Sequence, residues 1–100
     1  MIAGFVPPQT PLLVVLRSAL DHNLATMQSR CDRAGVRLRA HGKTHKCSTL
    51  GRLQVAGGAV GLCAQTVGEA EAFVKGGVRD VLVNGVAVLR DGAHTGATPG

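Results

Sequence analysis

The chain has 100 residues, room for at most one small domain. Hydrophobic residues make up 45% of it and charged residues 17%, a globular rather than disordered composition, and with two Phe and no Tyr or Trp the core must be built from Val, Leu and Ala. The net charge of +5 invites a nucleic-acid reading, but side chains for stacking on bases are missing and the charge forms no long block, so no nucleic-acid partner is expected.

Residues 1–11 are rich in Pro and Gly and read as an arm. Leu12-Leu13-Val14-Val15-Leu16, bounded by Pro11 and Arg17, is most simply a strand. Ser18 is placed to cap a helix in which Leu20, Leu24, Met27 and Cys31 recur on one face, and Gly35 closes it. Val36-Arg37-Leu38-Arg39-Ala40 alternates apolar and basic residues, the period of a strand. A second helix begins near Ser48, carries Leu50, Leu53 and Ala56, and stops at Gly57-Gly58. Ala59 to Cys63 is a continuous apolar strand. Thr66-Val67-Gly68-Glu69 has the form of a capping box for a third helix with Ala70, Phe73 and Val74, ended by Gly76-Gly77. Val81-Leu82-Val83 is another strand, and Asn84-Gly85 before Val86-Ala87-Val88-Leu89 signals a hairpin. The tail from Arg90 to Gly100 is turn-rich and without periodicity.

From residue 36 to 83 the order is β-α-β-α-β, which implies a parallel sheet with right-handed crossovers. Such an order fits a doubly wound sheet or part of a (β/α)8 barrel, of which a whole one takes about 250 residues. The hairpin after residue 83 is a change of style. Three cysteines, Cys31, Cys47 and Cys63, with no C-x-x-C pair fit free thiols in a reducing cytoplasm and argue against zinc. The first residues lack the basic start and long apolar core of a signal peptide, and no apolar run reaches the roughly 20 residues of a membrane helix.

Chemistry in parallel α/β folds sits at the carboxyl ends of strands. In the run Arg39-Ala40-His41-Gly42-Lys43-Thr44-His45-Lys46-Cys47, His41 through Lys46 follow such a strand. Cations around a lysine favour the neutral amine, the form that attacks an aldehyde to make a Schiff base. The competing reading is a solvated basic loop. His41 and His45, four apart, have the spacing of helical metal ligands, but two ligands without the glutamate of an H-E-x-x-H site leave the set incomplete, and no metal is expected.

These residues carry a resemblance. Thr10-Pro11-Leu12-Leu13-Val14-Val15 with Ala19-Leu20-Asp21-His22-Asn23-Leu24, the lysine run, and Ala59 to Gln65 followed by Gly68-Glu69-Ala70-Glu71-Ala72 and Gly76 to Val83 are similar, in order over residues 10–83, to the N-terminal part of the D-threonine aldolase and D-serine dehydratase family. That family is alanine racemase-like, with a fold-type III pyridoxal phosphate architecture. The resemblance implies a truncated (β/α)8 TIM barrel over residues 12–83, of about three parallel strands with helices, between the arm at 1–11 and a hairpin and tail at 84–100. It implies pyridoxal 5'-phosphate as cofactor, Lys43 as the Schiff-base lysine, and His41, His45 and Gln65 beside the cofactor. It also implies a small-molecule D-amino acid as substrate, cleaved or dehydrated, and makes self-association of the open sheet plausible. Ala40 stands where the family has proline, Leu16-Arg17-Ser18 where it has an acidic D-L-D-like stretch, and Ala64 and Thr66 depart from its C-C-Q-K-like run. The family's later strands, its phosphate loop and its divalent-metal ligands have no counterpart. Residues 81–100 instead resemble the C-terminal hairpin of N-acyl-D-amino-acid deacylases, without their metal ligands, which suggests an in-frame fusion of two D-amino-acid genes and, as the competing function, a non-catalytic remnant or small basic binding protein.

Overall fold

A computed structural model describes residues 4–6, 8–91 and 93–97. In chain order it has α1 (Arg17–Ala34), β1 (Arg39–His41), α2 (Ser48–Ala56), β2 (Gly61–Ala64), α3 (Val67–Lys75), β3 (Val81–Val83), β4 (Val86–Arg90) and β5 (Ala93–His94). The five strands form one sheet in the order β1-β2-β3-β4-β5. β1, β2 and β3 pair in parallel, as the β-α-β-α-β reading requires, and β4 and β5 add on antiparallel. Asn84 and Gly85 both take positive φ, 50° and 76°, which is the backbone of the tight hairpin turn that an Asn-Gly pair favours.

All three helices end in the same way. Val36 N–H reaches the Cys31 carbonyl at 3.0 Å, Ala59 N–H the Gln54 carbonyl at 3.1 Å, and Val78 N–H the Phe73 carbonyl at 3.0 Å. In each case the preceding residue is a glycine in positive φ, Gly35, Gly58 or Gly77, whose own N–H bonds one carbonyl further along. α3 also begins as its sequence says. Thr66 Oγ1 accepts the Glu69 N–H at 3.1 Å, while the Glu69 carboxylate reaches back to the N–H of Gln65, one residue before the cap, at 3.2 Å.

The parallel register aligns Ala40 with Leu62 and Leu62 with Val81, and Ala64 with Val83, so these side chains share one face of the sheet. There they meet Ala70, Phe73, Val78 and Val88 in a single core, with Val67 and Val74 at its margin. Leu62, Val81 and Val88 are fully buried. Gly51 lets α2 come close, since a Cβ there would stand 2.6 Å from Leu62 Cδ1.

Three expectations are corrected. Residues 12–16 form no strand: an extended run needs a partner, none of the five paired strands is beside it, and Leu12, Val14, Val15 and Leu16 are exposed, with Leu13 at 93%. Ser18 is not the cap of α1, which starts one residue earlier with Leu16 at the cap position and no side-chain bond there. The first two parallel strands begin two to three residues later than their apolar runs, because the N–H groups of Val36 and Ala59 close the preceding helices. Within the turn-rich tail, β5 pairs with β4 through Leu89–His94 and Arg90–Ala93.

The core makes a direct prediction. Leu62→Ala removes a fully buried side chain at the centre of the three parallel strands, and should cost about 2–5 kcal/mol in urea denaturation; a loss under about 1 kcal/mol would mean that this is not the packed centre.

Candidate active site

β1 ends at His41, so the loop of residues 42–47 stands at the carboxyl edge of the parallel strands, beside the short β2–α3 connection that carries Gln65. The backbone ties the loop to the sheet. Gly42 N–H donates to the Cys63 carbonyl of β2 at 2.8 Å, and Lys46 N–H donates back to the Gly42 carbonyl at 2.8 Å. Lys46 closes this turn with φ 50°.

The two histidines brace the loop from its own side chains. His41 Nδ1 accepts the N–H of Lys43 at 3.2 Å, and His45 Nδ1 accepts the N–H of Cys47 at 3.0 Å. In each case the ring bonds the backbone two residues on, as an Asp or Asn does in a turn. His45 Nε2 stands 3.1 Å from Gln54 Oε1 on α2. The same ring lies edge-on to Phe73, with centroids 6.2 Å apart and planes at 79°. Gly42 is buried, and a Cβ on it would run into the Phe73 ring. The loop is therefore seated on a core aromatic and held at both ends.

Lys43 projects from this seat into solvent. His41 is exposed and His45 half-buried. Gln65 is exposed on the neighbouring connection, where its N–H donates to Glu69. The structure thus gathers Lys43, His41 and His45 in one loop and sets Gln65 on the adjacent one. Arg39, read from the sequence as one of the cations around the lysine, donates instead to the Leu62 carbonyl at 3.3 Å. A cleft of about 360 Å³ beside the loop is lined by Lys46, Ser48, Glu69, Ala72 and Phe73. Gln54 and the role of Phe73 beneath the glycine escape the sequence, because both come from α2 and α3 and no local pattern announces contacts between elements.

No protein-family model matches the chain. It is 47% identical over 76 residues to 3-hydroxy-D-aspartate aldolase of Paracoccus denitrificans, covering 75% of this chain and 20% of that protein. It is 42% identical over 79 residues to D-threonine aldolase of Arthrobacter sp, covering 79% and 21%. The crystal structure of D-threonine aldolase from Filomicrobium marinum superposes with a TM-score of 0.73 at 44% identity, covering 75% of this chain and 20% of that one. About three quarters of the chain is homologous to D-threonine aldolase and the hydroxyaspartate aldolases and dehydratases. The chain spans about one fifth of the length of these relatives.

The seat of the loop can be tested by crowding it. Gly42→Ala should cost about 1–3 kcal/mol, read by urea melting, because the new methyl meets the Phe73 ring. In a Phe73→Leu background the same substitution should cost measurably less, as two contacting positions couple. Equal costs in both backgrounds would contradict the contact.

Proposed function

We propose that this chain carries the lysine end of a pyridoxal phosphate-dependent lyase acting on D-amino acids, of the D-threonine aldolase or D-serine dehydratase type, with Lys43 as the amine that attaches the cofactor. The observation that carries this reading is the placement of an exposed lysine on a braced loop at the carboxyl edge of β1. The homology supports it: a match to 75% of a 100-residue chain necessarily contains residues 26–75, and so the whole lysine loop. The three parallel strands and their helices fit the start of a (β/α)8 barrel, and three cysteines free of disulfides fit a reducing cytoplasm.

The residues present fit one end of the cofactor. A primary amine in reach of solvent, on a loop whose backbone is fixed at Gly42, Lys43 and Cys47, is suited to an aldehyde. Pyridoxal phosphate, when bound, supplies an electron sink for charge developing at the α-carbon of an amino acid. Lys43 would hold it covalently, with His41, His45 and Gln65 as its neighbours. His41 and His45 each accept a backbone N–H at Nδ1 and so brace the loop that carries the lysine. Gly42 lets the loop lie against Phe73, which excludes water from beneath it. The substrates named for the relatives, D-threonine and two hydroxyaspartates, all bear a hydroxyl on the β-carbon, so we infer a small 3-hydroxy D-amino acid as substrate class.

A second reading is favoured by the open sheet. Among the described residues β1 and β5 are the edge strands of the sheet, and Leu12 to Leu16 lie exposed, which suits a chain that associates with itself or with a partner and takes up the cofactor without turnover. One experiment separates the readings. The purified chain is mixed with pyridoxal phosphate, reduced with borohydride and mapped by peptide mass, and D-threonine cleavage is assayed in parallel. The lyase reading predicts an adduct on Lys43 and release of aldehyde from D-threonine; an adduct without cleavage supports the second reading. A Lys43→Ala chain that labels as fully as the parent would overturn the lysine assignment.

A further inference from the structure

Gln54 lies on α2, nine residues beyond His45, and its amide oxygen stands 3.1 Å from His45 Nε2. The other ring nitrogen, Nδ1, faces the backbone N–H of Cys47 at 3.0 Å. A backbone N–H only donates, so Nδ1 must present its lone pair, and a neutral ring then carries its proton on Nε2. That proton points at the Gln54 amide. For the amide to accept it, Gln54 must turn its oxygen, and not its NH2, toward the ring. The opposite tautomer would set Nδ1–H against Cys47 N–H, donor against donor, and would release the loop where it enters α2. His45 and Gln54 are both half-buried, and the edge-on Phe73 ring limits rotation of the imidazole, so solvent is a poor substitute for either partner.

We propose that Gln54 is a positioning residue of the lysine loop: its amide oxygen accepts the Nε2–H of His45 and so favours, together with the Cys47 N–H, the tautomer whose Nδ1 holds the loop at Cys47. The catalytic meaning of this rests on the reading of Lys43 as the cofactor's amine; the tautomer itself does not. Gln54 touches neither the lysine nor any reacting atom. It acts through one ring on the backbone that carries Lys43.

Long-range 1H–15N correlation on His45, at a pH where imidazole rings are neutral, reads the tautomer directly. The full chain should show the Nε2–H form. Gln54→Glu keeps an oxygen acceptor and should keep that form, Gln54→Leu should give a mixture, and Gln54→Lys, which offers only a donor to the ring, should shift it to Nδ1–H. Lys43 adduct formation should slow several-fold in Gln54→Leu and recover in Gln54→Glu. An Nδ1–H ring in the parent chain, or a Gln54→Leu ring unchanged from the parent, would overturn the proposal, and the parent spectrum decides even if a variant fails to fold. A parent chain with the expected tautomer but no cofactor adduct would leave the role of Gln54 standing and remove the Schiff-base reading of Lys43.

Discussion

The contact between Phe73 and Gly42 joins the two halves of this protein's logic. Phe73 belongs to the core, buried with Leu62, Val81 and Val83 on the helix-covered face of the sheet. It is also the floor on which the lysine loop rests, close enough that only a glycine fits above it. His45 leans on the same ring from the side. A loop that rests on a core aromatic keeps its shape as long as the core does, and a lysine displayed from it has a fixed starting point. That coupling orders the backbone on either side of an exposed lysine.

Much of this was legible in the sequence, for reasons that can be assigned. The glycines after each helix, the Thr66–Glu69 box and the Asn84-Gly85 turn are local signals whose hydrogen bonds lie within six residues, and the structure uses them all. The alternation of strand and helix between residues 36 and 83 is equally local. The failures have separate causes. Leu12 to Leu16 has the composition of a strand, but a strand exists only by pairing, and composition does not say where the partner is. The late starts of β1 and β2 follow from helix ends that take the N–H groups of Val36 and Ala59 first. At the candidate site the lysine was offered by its place after a strand, and its assignment and both histidines by the family resemblance, whereas Gln54 and the floor under Gly42 depend on how α2 and α3 pack.

The histidines, read from the resemblance as neighbours of a cofactor, also have a structural part. Each accepts at Nδ1 the backbone N–H two residues on, a pattern that recurs at His94 and Gly96 in the tail, at 2.8 Å. At the loop this local habit has a use, because it spaces two braces around Lys43 and leaves the His45 Nε2 to be fixed by α2. Among the described residues the edge strands β1 and β5 and the exposed apolar run at 12–16 mark where further chain, or another chain, has most to gain by covering the sheet.

The central claim is that the fold singles out Lys43 among the chain's lysines, the others being Lys46 and Lys75. Borohydride trapping with pyridoxal phosphate, mapped by peptide across all three lysines in the folded chain and again in concentrated urea, tests it most directly. The account predicts an adduct concentrated on Lys43 in the folded chain and spread over the three lysines once the chain is unfolded. The same distribution in both conditions would contradict it.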